Sequence, residues 1–354
     1  MILILLFTGG IIWTSLVTIK ILKTTAIDQR ISDIIPTIQI LCKRLLSGQY
    51  PYSYDALTSL YYHTPSGYLP MHWLPYTAAE YFKFDYRSIT FCIWCIGALV
   101  VMFRSMRLSK LWLQVAVPVL LACSYYAISQ LEPNIIGWTV EIMVAGYYML
   151  FIAGINQKNP WITAFVITCC LLSRYSLVLW LPLWAFVMYV SGHRKDLIKA
   201  IIGIVVLVGI IYVIPFLSKD WSTFYVAHTT NYETIPIVEW RHQNKDGLPV
   251  HLYNGFGLAH LFYQKYHGPD LQHGYDLLKR TLTIATSGSL FIMGIWYWRN
   301  RKNIDYRLFL LGSFKIYLSI FFAFIMIPYM YLIMVGNFVS IALFAEQGRY
   351  KRSE

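Results

Sequence analysis

Residues 24–88 read TTAIDQRISDIIPTIQILCKRLLSGQYPYSYDALTSLYYHTPSGYLPMHWLPYTAAEYFKFDYRS, a polar, Tyr- and Pro-rich stretch set between one apolar segment and a series of others. That contrast decides the fold class. Only 13% of the chain is charged, against about 25% in a soluble domain, and the mean hydropathy is +0.52. Crossing about 30 Å of hydrocarbon at 1.5 Å per residue takes roughly 20 residues. Apolar runs of that order fall near 2–22, 89–104, 111–129, 136–155, 160–173, 175–191, 198–217, 281–298, 307–323 and 326–344. The expected fold is an all-α polytopic membrane protein, a single transmembrane domain over 1–354 with about ten transmembrane helices. Its two long loops are 24–88 and 218–280.

Charge orients the spans. The net charge of +12 belongs to short loops: RSMRLSK (104–110), NQKN (156–159), HRKDLIK (193–199), RNRKNIDYR (299–307) and the tail RYKRSE (349–354) carry 14 of the 29 basic residues. Lys and Arg gather in cytoplasmic loops, so both termini are expected inside and both long loops outside. The same reading removes nucleic acid as a partner. The first segment, MILILLFTGGIIWTSLVTIKIL, lacks a basic leader and a small-residue cleavage site, which makes it an uncleaved helix. With no targeting or retention signal added, the chain is expected in a bacterial plasma membrane.

Within the first long loop, Ile34, Ile38, Leu41, Cys42 and Leu45 recur at helical spacing and form one apolar face. Ser32 or Asp33 can cap this helix, Pro36 fits its first turn and Gly48 ends it. Such a helix is expected to lie flat on the outer membrane surface, holding Asp33 at the water boundary. Beyond it, Pro51, Pro65, Gly67, Pro70 and Pro75 point to an irregular, aromatic-lined loop. Five of six cysteines fall in apolar segments, and the C-x-x-C at Cys92 and Cys95 reads as small hydrophobes buried in a spanning helix. No phosphate loop, dinucleotide fingerprint or nucleophile elbow is present.

Several polar residues stand where they are costly. Arg174, alone between two apolar segments, calls for an anionic partner or a snorkelling position. Glu141, a few residues inside an apolar segment, is either part of a site or paired with Arg174 across two helices. Lys315 sits within a span and reads as a snorkelling tail. Glu132, in the turn SQLEPN, binds an acceptor hydroxyl or water. His228, His242, His251, His260, His267 and His273 lack zinc-helix spacing. His251 with Tyr253 and Asn254, and His260, read as hydrogen-bonding groups for a sugar or phosphate, or as surface histidines. Tyr50, Tyr52, Tyr68, Trp73 and Tyr76 suit sugar stacking and equally a membrane interface.

The run ISDIIPTIQILCKRLLSGQYPYSYD followed by GYLPMHWLPYTAAEYFKFDYR resembles the C-type membrane glycosyltransferases, most closely the polyprenyl-phosphate-mannose-dependent mannosyltransferases: an acid, a helix, a Gly and a Tyr-Pro-Tyr turn, then prolines ahead of an aliphatic helix with Asp85 and Arg87. The match covers residues 1–90; beyond them it is one of topology. The resemblance implies inverting transfer of a hexose, mannose in that family, from a polyprenyl-phosphate sugar to a glycolipid or glycan acceptor on the extracytoplasmic face, with no nucleotide sugar; nothing in the sequence requires a metal, and no cofactor is expected. It puts the base at Asp33, with Asp28 competing. Arg174, Arg87 and His251 are then candidates for the donor phosphate, Lys83 being a weaker one. Tyr52, Tyr68, His72, Trp73, Glu132, Glu141 and His260 are candidates for acceptor or sugar. Two rivals remain: a transporter or flippase of lipid-linked saccharides, which predicts broken helices, paired halves and substrate groups near the bilayer midplane, and a ligase-like enzyme with a pyrophosphate donor, which shares the topology.

Overall fold

The computed structural model describes residues 2–131, 134–242, 247–253 and 255–350. In chain order its helices are α1 Ile2–Thr24, α2 Ile34–Leu46, α3 Pro70–Trp73, α4 Thr77–Phe82, α5 Tyr86–Ser105, α6 Leu111–Ser129, α7 Ile135–Trp138, α8 Glu141–Gly154 and α9 Pro160–Leu171. There follow α10 Leu181–Val190, α11 Arg194–Val208, α12 Ser222–Thr229, α13 Ile235–Arg241, α14 Val250–Tyr253, α15 Ala259–Lys265, α16 Leu271–Asn300, α17 Tyr306–Ala323 and α18 Tyr331–Tyr350. No β-strand occurs among the described residues. Among the described residues five helical stretches are long and apolar enough to cross a membrane: Leu5–Thr24, Tyr86–Ser105, Leu111–Ser129, Arg194–Leu217 and Tyr306–Ala323. Shorter apolar helices cover Glu141–Gly154, Pro160–Leu171, Tyr175–Val190 and Tyr331–Gln347. The protein is therefore an all-helical membrane protein.

The chain divides into two compact units. One comprises Met1–Arg174, Ala200–Val226 and Asn337–Glu354; the other comprises Tyr175–Lys199 and Ala227–Gly336.

At the centre of the first unit lies α8, in which every residue but Leu150 is buried. A helix apolar on all sides is one enclosed by protein. Its main neighbour is α5, and the two backbones approach at glycine. A Cβ on Gly97 would lie 2.7 Å from the Gly146 carbonyl oxygen, and one on Gly146 would lie 2.8 Å from that of Ile93. Lipid offers no hydrophobic gain for joining helices, so close packing at small residues must supply the attraction. Asp85 caps α5, its carboxylate accepting from the Arg87 N–H at 2.8 Å, which is why this helix begins earlier than its apolar run.

The first long loop is folded, not irregular. Pro70 and Pro75 open short helical turns, a position where a missing N–H costs nothing. The apolar face of α2 is spent inside the protein: Ile35, Ile38, Leu41 and Cys42 are wholly buried against α4, α3 and the turn Leu74–Tyr76. The expectation of a helix lying on the membrane by this face is corrected accordingly. The Cys42 thiol donates to the Trp73 carbonyl at 3.6 Å, and burial pushes its pKa up to about 12. Cys92, expected buried, is exposed on α5, and all six cysteines are free. The wide π-helical turn Gly209–Leu217 after α11 supplies Tyr212 and Phe216, which pack with Tyr52 and Trp73 at ring separations of 5.5–6.2 Å. The Tyr50 hydroxyl donates to the Phe216 carbonyl at 3.2 Å, clasping the loop to that turn.

In the second unit the other long loop has a core of its own, built from Ile237, Trp240, Leu252, Ala259, Tyr263, Tyr275, Leu278, Leu282 and Met326. The Trp240 indole N–H donates to the Met326 carbonyl at 2.8 Å. The segment before α18 fits where only glycine could face it: a Cβ on Gly255 would coincide with the Pro328 carbonyl. This packing explains why the last helix starts at Tyr331 rather than at 326.

Gly146→Ala is expected to lower stability by about 1–3 kcal/mol, the typical cost of overpacking, while Gly288→Ala, whose Cβ would meet nothing within 4 Å, leaves it unchanged or raised. Thermal melts of the two detergent-purified variants check this, and equal melts would contradict the close α5–α8 approach.

Candidate functional site

Two interruptions in apolar segments create a buried polar place in the first unit. The run expected as one span over 136–155 breaks at Thr139 and Val140, between α7 and α8. Thr139 bridges the break: its hydroxyl donates to the Ile135 carbonyl at 2.6 Å and accepts from the Glu141 N–H at 3.3 Å. Glu141 thus opens α8, where a carboxylate meets the positive end of the helix dipole. The second break follows α9. Arg174 comes just past the helix end, its N–H donating to the Cys170 carbonyl at 3.0 Å, and a cation is favoured there for the same reason.

The two side chains meet. An N–H of the Arg174 guanidinium donates to Glu141 Oε1; the Glu141 side chain is 0% exposed and that of Arg174 31%. The pair expected as one of two readings of Glu141 is present. Glu141 is buried behind the guanidinium, which keeps an accessible edge.

Helix α3 forms the roof. The Met71 N–H donates to the Leu172 carbonyl at 2.8 Å, and the Met71 carbonyl accepts from the Tyr147 hydroxyl at 3.2 Å. Held from α9 and α8 together, α3 buries the His72 ring completely. Neither ring nitrogen of His72 has a partner among the described residues, nor does Glu141 Oε2. Tyr68 covers the imidazole, with ring centroids 4.6 Å apart. Burial first, then the nearby Arg174 charge, pushes the His72 pKa well below the usual 6.5. The imidazole is neutral, with one donor and one acceptor nitrogen, and lies near the Arg174 charge. Such a cluster can bind an anion or a polar ligand group at the accessible edge of Arg174.

The acidic candidates separate clearly. Asp28 accepts from the Arg30 side chain with both oxygens, at 3.1 and 2.7 Å, and these bonds with Arg30 hold its pKa at about 2. Asp33 occupies the capping position of α2 but its side chain does not cap. Its carboxylate, partly exposed, instead accepts from the Tyr62 hydroxyl at 2.7 Å. Tyr62 carried no signal in the sequence; it follows Tyr61, whose left-handed backbone turns the chain at the loop tip.

Other candidates have partners within the protein. Arg87 is buried, and all five guanidinium N–H groups donate, to the Asp85 carboxylate and to the carbonyls of Leu22, Thr25 and Gly137, leaving none for a phosphate. Lys83 pairs with Glu80 at 2.6 Å. Tyr52 and Trp73 are buried and joined by an indole-to-hydroxyl bond of 2.8 Å, so neither ring face can stack on a sugar. His251 faces Glu239 at 3.7 Å, and His260 Nδ1 lies 3.0 Å from the Gly257 carbonyl; both belong to the second unit. Glu132 and Asn254 lie outside the described residues. Among the described residues no group of three or more His, Cys, Asp or Glu could hold a metal.

Comparison with protein-family models, with curated proteins and with solved structures finds no match. The site is thus defined by its own geometry.

Arg174→Met, which strands a buried carboxylate, is expected to cost about 3–5 kcal/mol, and adding Glu141→Gln to recover most of it; chemical unfolding of the single and double variants measures both. For His72 the folded pKa lies below the unfolded one, so its contribution to stability is whole above 6.5 and lost as pH falls below that value. The unfolding midpoint of the wild type should therefore fall on acidification more steeply than that of His72→Phe.

Proposed function

We propose that the protein is an integral membrane glycosyltransferase that moves a hexose from a polyprenyl-phosphate sugar to a glycolipid or glycan acceptor, with inversion. In this reading the chain crosses the membrane about ten times, its termini are cytoplasmic and its two long loops extracytoplasmic. The observation that carries the proposal is the state of Asp33: a carboxylate free of capping duty, partly exposed and oriented by one hydroxyl. Asp28, with a pKa of about 2, is too weak a base for an alcohol, since proton transfer is most effective near the working pH.

Asp33 takes the acceptor hydroxyl proton as the oxygen attacks the anomeric carbon. The bond from that carbon to the phosphate oxygen breaks, and its electron pair leaves with the polyprenyl phosphate. Arg174 stabilises the departing phosphate through its accessible edge, and Glu141 is a positioning residue that holds the guanidinium. His72 stays neutral beside them and can donate one hydrogen bond.

A second reading rests on the two broken apolar segments, because transporters of the inverted-repeat kind bind substrates at interrupted helices. On that reading the Glu141–Arg174 pair would be a substrate gate in a flippase of lipid-linked saccharides.

Label transfer from polyprenyl-phosphate mannose to membrane acceptors distinguishes the readings. Asp33→Asn should lower incorporation by about 10²–10⁴-fold with folding unchanged, and Asp28→Asn should stay within a few fold of wild type. Equal activity of wild type and Asp33→Asn would refute the base. Translocation of a lipid-linked saccharide without any incorporation would favour the flippase.

A further inference from the structure

In the second unit, Lys315 lies within the apolar helix α17, eight residues before its end at Ala323, or about 12 Å at 1.5 Å per residue. Its ammonium is half-buried and donates to the Gly336 carbonyl of α18 at 3.0 Å. Among the described residues it forms no ion pair with a carboxylate. A cation inside a membrane span is expensive unless an anion answers it.

Beside this ammonium opens a cavity of about 230 Å³ between α17 and α18, lined by Lys315, Leu318, Phe322, Leu332 and Gly336 together with Phe256. Nothing stands within 4 Å of the place a Gly336 Cβ would occupy, so the groove is open there. One uncompensated positive charge on the lining of an apolar groove matches an amphiphile with an anionic head and a hydrocarbon tail.

We propose that this groove binds an anionic phospholipid of the surrounding bilayer, its phosphodiester on Lys315 Nζ and part of one acyl chain along Leu318, Phe322 and Leu332. The site is independent of the sugar-transfer reading and uses none of its residues.

Native mass spectrometry tests this on the full chain released from bilayers of phosphatidylcholine mixed with phosphatidylglycerol. Wild type should retain phosphatidylglycerol in preference. A surface lysine contributes about 1 kcal/mol toward an anionic lipid, so Lys315→Met should lower that preference by about fivefold or more, and Lys315→Arg should keep it. Gly336→Leu, which fills the groove and leaves the ammonium in place, should lose the retained lipid. An unchanged preference in Lys315→Met would overturn the proposal, as would full retention in Gly336→Leu, which also decides the matter if the lysine variant does not fold. Displacement of phosphatidylglycerol by an equimolar amount of polyprenyl phosphate would reassign the groove to that lipid and overturn the proposal as well.

Discussion

A carboxylate sealed from water at Glu141 is tolerable only because the Arg174 guanidinium touches it, and much of the first unit follows from keeping those two groups together. Each stands at a helix end whose dipole favours its charge, so each requires its apolar segment to be cut. Cutting a helix leaves backbone groups to satisfy in a place with little water. Thr139 answers for one break, and for the other the Leu172 carbonyl takes the N–H of Met71. The first long loop is thereby drawn onto the helix ends, and His72 is enclosed because its neighbour is bonded on both sides. A pair of charges thus organises backbone well beyond its own contacts.

How legible was this in the sequence? The all-helical membrane class was plain, because apolar length is a strong signal and needs no partner. The interfacial placement of α2 was misjudged for a physical reason: an amphipathic face looks the same whether it meets lipid or protein, and Ile35, Ile38 and Leu41 meet protein. The break at Thr139 left no proline or glycine cluster to find, since it is stabilised by one hydroxyl. The charged pair was foreseeable because Glu141 and Arg174 are both costly alone. Tyr62 as the partner of Asp33 was not, for it depends on a turn at Tyr61 in a left-handed conformation. The aromatic residues were visible as a group, but only the folded chain separates Tyr52 and Trp73, buried in a cluster with Phe216, from the exposed rings of Tyr61 and Tyr62.

The two units answer the lack of a hydrophobic drive in lipid differently. In the first, Gly97 and Gly146 bring two helix backbones nearly into contact, so packing is continuous along α5 and α8. In the second, a loop assembles a core around Trp240 and Tyr275, where large aromatic side chains supply the apolar area that is buried. Along α17 a gap persists, and there Lys315 meets the Gly336 carbonyl and, among the described residues, no carboxylate.

The Cys42 thiol, packed against Trp73 and held with a pKa of about 12, is inert to alkylation and to oxidation while α2 keeps its seat, because the thiolate is the reactive form. No crosslink fastens the first long loop, so its attachment is reversible by nature. That makes this cysteine a native clock for the loop: the rate at which a thiol reagent consumes it measures how often the roof over His72 lifts.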